Sequence, residues 1–102
     1  MTEEALLERE SCAGALTEQV KRVLRQVDPG HKALVVAVPF RRLAHWMAFY
    51  LTKAGMRPEE IGDATIAELY NRIQLDVLNW NVEGEVEWLA EELVKELKGR
   101  RH

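Results

Sequence analysis

Residues 39–55 read PFRRLAHWMAFYLTKAG, and this stretch decides the fold class. Its apolar side chains recur at helical spacing and share one face of a helix over residues 39–54; they are Phe40, Leu43, Ala44, Met47, Leu51 and Ala54. Pro39 marks the beginning of this helix, and Gly55 suits a left-handed cap at its end. The stretch therefore predicts an amphipathic helix with one face in a hydrophobic core.

The opposite face of this predicted helix is basic and carries an aromatic residue. Half a turn from the core stripe lie five residues that we name the basic strip: Arg41, Arg42, His45, Phe49 and Lys53. Guanidinium and ammonium groups bind carboxylates or phosphates, and an exposed Phe stacks or fills a pocket of a partner. We predict that the basic strip binds a partner. The alternative is a solvated face in which Phe49 is buried under a neighbouring segment.

The basic strip belongs to a larger separation of charge along the chain. Between Pro29 and Pro58 there are five basic residues and no acidic one, whereas from Glu59 to Glu96 there are eleven acidic residues and two basic ones. Opposite patches of this kind pair within one molecule, pair between copies or capture a charged partner. The formal net charge of the whole chain is −3, so a protein is favoured over a nucleic acid as the partner.

On the N-terminal side, a second apolar stripe predicts a helix that ends near residue 27. Its members recur at steps of 3, 4, 3 and 4; they are Ala13, Leu16, Val20, Val23 and Val27. Ser11 and Gly14 favour a break before this stripe, so residues 1–12 are expected to form a loose arm. The apolar run at residues 33–38 has no polar face, and either a helix or a short strand fits it.

On the C-terminal side, Thr65 and Glu68 form a capping-box pattern that predicts a helix from Thr65 through at least Val77. Ile73 and Val77 lie on one apolar side of this helix and are expected in the core. Other apolar residues lie on a second side of the same helix. This pattern predicts that the helix is central and that other segments pack on two of its sides. On its polar strip, Glu68 and Arg72 have the spacing of a helical ion pair, as do Arg72 and Asp76.

A last helix is predicted over about residues 85–98. Its core seam steps by 4, 3 and 4 residues through Val86, Ala90, Leu93 and Leu97. Trp88 lies about half a turn away from this seam, at about 100° per residue. Because Trp is enriched in interface hot spots, we predict that Trp88 binds a partner. The alternative is that Trp88 is buried within the chain.

Together these segments predict a mainly α fold, a compact bundle of four to five helices that forms one domain over residues 1–102. The alternative is an α+β fold with a strand near residues 33–38 and a hairpin near residues 78–88. Apolar residues alternate with polar ones around Glu83-Gly84, as in a hairpin. Helices are preferred because a hairpin would end one helix early and begin the next one late.

No motif in the sequence indicates catalysis, a metal site or a nucleotide site. One Ser, one Cys and three His have no spacing that brings them together. We therefore expect no enzymatic activity, no cofactor and no metal. A small enzyme would need Glu59, Glu60 and Asp63 to converge with His45 or His31.

The sequence thus predicts a non-catalytic protein-protein interaction module that forms a homo-oligomer or docks on a larger protein, as adaptors, assembly chaperones and small inhibitors do. A small nucleic-acid-binding protein that uses the basic strip is the alternative, and a small enzyme is a weaker one. The single Cys12 implies no oxidising compartment, and the acidic start MTEEALLERE is unlike a secretory leader, so the cytoplasm is expected. The longest apolar run, residues 33–38, is far shorter than the roughly 20 residues of a membrane span.

Overall fold

A computed structural model describes residues 3–30, 38–73 and 81–99, with side chains from residue 14 onward. Within these ranges the chain forms four α-helices and a short 3-10 helix, without a strand; they are α1 (Glu3–Val27), α2 (Phe40–Lys53), the 3-10 helix (Pro58–Glu60), α3 (Asp63–Arg72) and α4 (Val82–Gly99). The mainly α fold is confirmed. Apart from Val38, the run predicted as a helix or a strand at residues 33–38 lies outside the described residues.

The four helices enclose one hydrophobic core, and α2 has the most extensive contacts, with α1 on one side and α4 on the other. Helix α3 packs on α1 and, less extensively, on α4. The largest fully buried side chains come from all four helices; they are Val20, Val23, Leu24, Leu43, Met47, Leu51, Ile66, Leu69, Val86 and Val94. Because each helix contributes one apolar face, burial of these faces is what holds the bundle together.

The predicted core face of α2 and its cap are confirmed. Leu43 and Leu51 are fully buried, whereas Phe40 packs at the edge of the core. Gly55 has a φ of 117°. Its N–H donates to the carbonyl of Thr52 at 3.1 Å, and the N–H of Met56 donates to the carbonyl of Leu51 at 3.2 Å. This pair of bonds is the Schellman motif, and a residue with a Cβ would be strained at its left-handed position.

Helix α1 is longer than predicted. It begins at Glu3 and continues through Ser11 and Gly14, so the expected break there is wrong. The residues around them are mostly Ala, Leu and Glu, whose helix propensity outweighs one glycine and one serine. The side chains of residues 1–13 lie outside the described part, and the loose arm therefore stays a prediction. Val27, expected in the core, is 40% exposed because it ends the helix, where fewer neighbours cover it.

Helix α3 begins earlier than predicted because side chains of α1 hold its first residue. Asp63 accepts a hydrogen bond from Gln19 Nε2 at 2.9 Å and pairs with Arg22 at 3.3 Å. Gln19 also donates to the carbonyl of Ile61 at 3.1 Å. The N-cap is Gly62, without a side-chain capping bond, so the predicted capping box does not form.

Helix α3 also ends earlier than predicted. Ile73 has an extended backbone with φ of −75° and ψ of 125°, which closes the helix after Arg72 instead of continuing it to Val77. Ile73 is nevertheless only 5% exposed, so its place in the core is confirmed. Val77 lies outside the described residues.

The hairpin alternative is wrong over the residues that can be compared, because Glu83 and Gly84 lie in the first turn of α4. Asn81 precedes this helix, and its side-chain Oδ1 accepts a hydrogen bond from the N–H of Gly84 at 3.1 Å. Asn is among the best N-cap residues, because its short side chain satisfies an N–H that has no partner within the helix. The cap explains why α4 begins at Val82, earlier than predicted.

At the end of α1, the Tyr70 hydroxyl of α3 donates a hydrogen bond to Asp28. Burial, and then this bond, raises the pKa of the Tyr70 phenol. A group whose pKa is higher in the folded state stabilises the fold fully below its unfolded pKa, which is about 10 for Tyr. That contribution is lost as the pH rises above the unfolded value.

We therefore expect the urea midpoint of the wild type to fall between about pH 9 and about pH 11, and to fall less in Tyr70→Phe. Tyr50→Phe is the comparison, because burial and the bond to Glu83 also raise the pKa of Tyr50, although Tyr50 is less buried than Tyr70. It should remove a smaller part of the alkaline loss than Tyr70→Phe does. An equal loss in the wild type and in Tyr70→Phe would contradict the role of Tyr70.

Candidate partner-binding surface

All five residues of the basic strip are exposed on the outer side of α2. Phe49 itself is 49% exposed, so no segment that the structure describes buries it. The exposure follows from the packing of α2, whose inner residues face the core between α1 and α4. The role of the strip in binding stays a prediction.

Phe49 lies near two other rings although it is exposed. The His45 ring stacks on it with centroids 6.2 Å apart and planes inclined by 22°, and the Tyr50 ring meets it edge-on at 5.0 Å. Such contacts between rings restrict the motion of an aromatic side chain. A side chain ordered in advance loses less entropy when a partner covers it. The sequence analysis missed Tyr50, which lies on the flank between the core stripe and the strip.

Lys53, in contrast, already has a partner within the chain. Its Nζ lies 3.1 Å from Glu87 Oε2 of α4 and 5.6 Å from the centroid of the Tyr50 ring. Beside it, the Tyr50 hydroxyl donates to Glu83 Oε2 at 3.0 Å. Part of the charge separation is therefore neutralised between α2 and α4 of one molecule. Lys53 is still 59% exposed in this pair, so its role in binding a partner stays a prediction.

Arg41 and Arg42 differ from Lys53, because neither has an ion pair with any side chain that the structure describes. Arg41 lies towards α1. There, Lys21 at 2.9 Å lowers the pKa of the Glu18 carboxyl, and Arg25 and Arg41 lower it further. Exposed guanidinium groups with free hydrogen-bond donors are suited to carboxylates of a partner.

Trp88 is 59% exposed and lies on the side of α4 opposite the buried Val86, Ala90 and Leu93. Its outward geometry agrees with the prediction from the helical period, and burial within the described chain is excluded. The chain neighbour Glu87 pairs with Lys53, but Trp88 lies about 100° further around the helix. Trp88 and the basic strip therefore occupy different faces of the molecule.

The helical neighbours of Trp88 are mostly acidic. Residues three, four and seven positions away share its side of α4. We name this surface the Trp88 face; it consists of Trp88, Glu85, Glu91, Glu92 and Lys95. It carries three acids and one lysine. The Trp88 face is thus an exposed aromatic side chain within a field of negative charge.

The residues considered for an enzyme site do not meet in the described part of the chain. His45 stacks on Phe49, Glu60 contacts Arg57 at 2.8 Å, and Asp63 is held by α1. His31 lies outside the described residues. Across the described ranges, no group of three His, Cys, Asp or Glu is placed to hold a metal ion.

A groove lies between α3 and α4, and its lining is Ala64, Thr65, Glu68, Arg72, Leu93 and Leu97. Arg72 bridges its two sides, because it lies 2.9 Å from Glu68 and also contacts Glu96. Glu96 and then Glu68 raise the pKa of the Arg72 guanidinium. The predicted pair of Glu68 and Arg72 is confirmed, whereas Asp76 lies outside the described residues. The charged side chains at this groove are paired with one another.

No described helix combines the length and the apolar composition that crossing a membrane requires. Comparison with known proteins also gives no relative: no family model matches the chain, and no curated protein or solved structure matches it.

Proposed function

We propose that this protein is a non-catalytic protein-protein interaction module that self-associates or docks on a larger protein. The observation that carries the proposal is the exposure of two large aromatic side chains, Phe49 and Trp88, on helices whose other sides are buried. Among the described residues, the one other large hydrophobic side chain that is exposed is Val27. Aromatic residues and Arg are enriched in protein interfaces, and Trp is prominent in their hot spots.

The two aromatic residues have surroundings that suit specific contacts. Phe49 has Arg41 and Arg42 beside it, and these can bind carboxylates, whereas the acids around Trp88 can bind cations. Both side chains are placed by well-packed helices, so little of the scaffold has to be ordered on binding. A module of this size fits the adaptors, assembly chaperones and small inhibitors considered above, and the cytoplasm is its proposed compartment.

Nucleic acid is the second candidate partner, and it is less well supported. Binding would depend on the basic strip, but Lys53 is paired with Glu87. That leaves Arg41 and Arg42 to bind phosphates, which are few cations for a nucleic-acid interface.

The proposal is tested by recovery of partners from a cell lysate with the wild type, Trp88→Ala and Val27→Ala. Val27→Ala is the matched control, because it also removes an exposed hydrophobic side chain but lies on neither surface. For a recovered partner, Trp88→Ala or Phe49→Ala should weaken binding by about 2 kcal/mol, which is about 30-fold.

Both substitutions should leave the free energy of unfolding within about 1 kcal/mol, as surface changes usually do. Urea unfolding of each variant checks this requirement. If Trp88→Ala, Phe49→Ala and the wild type recover the same proteins with equal affinity, these surfaces do not bind partners and the proposal fails.

A further inference from the structure

We propose that the partner of the basic surface around Phe49 is the Trp88 face of a second copy of this chain. The inference rests on the proposed function. It names a second copy of the chain as the partner of both surfaces, the one around Phe49 and the one around Trp88. We call the basic surface the Phe49 face; it consists of Arg41, Arg42, His45 and Phe49, which is the basic strip without the internally paired Lys53.

The first support is charge complementarity. The Phe49 face has two arginines and lies in a stretch of the chain without an acidic residue. The Trp88 face has three acids and one lysine, and its Lys95 lies 3.7 Å from Glu92, so the face keeps an excess of negative charge. Each face has one large exposed aromatic side chain, 49% exposed in Phe49 and 59% in Trp88. Two faces of opposite charge, each with an exposed aromatic residue, have the composition of the two sides of one interface.

The second support is that α2 and α4 already form such contacts within one molecule. Lys53 of α2 pairs with Glu87 of α4, and Tyr50 donates to Glu83. These side chains lie where the two helices touch, and they already have partners within the molecule. Arg41, Arg42 and Glu91 are exposed, and none of them has an ion pair with a described side chain. Basic side chains of α2 and an acidic side chain of α4 therefore remain on the surface, where those of a second copy can pair with them.

The arrangement of the faces determines the kind of assembly. Because Trp88 lies about 100° around α4 from the side that contacts α2, one molecule cannot place its own Trp88 face on its own Phe49 face. The contact therefore joins different faces of two copies. A two-fold axis can pair both faces reciprocally in a closed dimer, and without such an axis the contact is heterologous. Head-to-tail contacts of this type produce rings when they close and chains when they do not. Each face is one helix wide, which is small for a protein interface, so the association is expected to be weak.

The test is sedimentation of the wild type, Phe49→Ala, Trp88→Ala and an equimolar mixture of the two variants, at up to about 1 mM so that a dissociation constant near 0.1 mM is detected. The wild type should self-associate, and each variant alone should associate at least about tenfold more weakly. The mixture should form a dimer, because Trp88→Ala keeps the Phe49 face and Phe49→Ala keeps the Trp88 face. Val27→Ala should behave as the wild type.

Salt provides the second measurement. Raising the salt concentration from about 0.05 M to about 0.5 M shortens the screening length severalfold and should weaken the association of the wild type. A wild type that stays monomeric at the highest concentration overturns the inference, as does association that is unaffected by salt or by either substitution. If both variants are monomeric and their mixture is too, the head-to-tail contact is wrong. None of these outcomes decides the recovery of other proteins from a lysate, which tests the proposed function separately.

Discussion

Truncating Leu43 to alanine should lower the free energy of unfolding by about 2 to 5 kcal/mol. Leu43 is fully buried on α2, the helix that contacts both α1 and α4. The substitution removes apolar volume where two interfaces between helices meet, and a closely packed core cannot fully collapse into the space. Urea unfolding followed by circular dichroism measures the difference.

The matched control for this prediction is Arg42→Ala, one position earlier on the same helix. Arg42 is exposed and has no ion pair with a described side chain, so its truncation should change the free energy of unfolding by less than about 0.5 kcal/mol. Equal effects of Leu43→Ala and Arg42→Ala would show that the two faces of α2 have been assigned incorrectly.

Truncating Ile73 to alanine should also cost about 2 to 5 kcal/mol, although Ile73 lies outside a helix. It is 5% exposed and directly follows the last residue of α3. Its buried side chain fixes the residue that ends α3 in the core, so the loss of its volume should loosen the end of that helix as well. Hydrogen exchange at the amides of α3 would detect this loosening, together with the lower urea midpoint.

Asn71→Ala is the control for Ile73→Ala, because Asn71 is exposed in the last turn of α3. It should leave the free energy of unfolding within about 0.5 kcal/mol. Wild-type stability in Ile73→Ala would mean that the chain after α3 is not packed against the core in solution.

Most of α2 could be predicted from the sequence, and the reason is local. Its apolar residues, its boundary at Pro39 and its cap at Gly55 lie within one stretch of 17 residues. Helical periodicity then assigns the buried side and the exposed side without knowledge of any other segment. The same reasoning correctly placed Trp88 on the outside of α4. These features need only the angle of about 100° between successive residues.

The ends of α1, α3 and α4 could not be predicted equally well, because they depend on competing or distant interactions. Thr65 and Glu68 have a capping pattern, but Gln19 and Arg22 of α1 hold Asp63 and begin α3 earlier. Ile73 fits the apolar stripe of a longer helix, and it is buried in an extended conformation instead. Burial of an apolar side chain stabilises the fold whether its backbone is helical or extended. An apolar pattern alone therefore does not determine where a helix stops.

For the candidate site, the sequence by itself determined which residues are exposed on α2 and α4 and how their charges are sorted. Only the tertiary structure decided which of these residues already have partners within the molecule. The pairing of Lys53 with Glu87 and the ordering of Phe49 by its neighbouring rings follow from how α2 lies against α4 and from ring contacts on α2 itself. The separation of the Phe49 face from the Trp88 face also follows from how α2 lies against α4. Helical periodicity gives the direction of a side chain around its own axis, whereas the neighbour that covers each flank is set by the packing of the whole core.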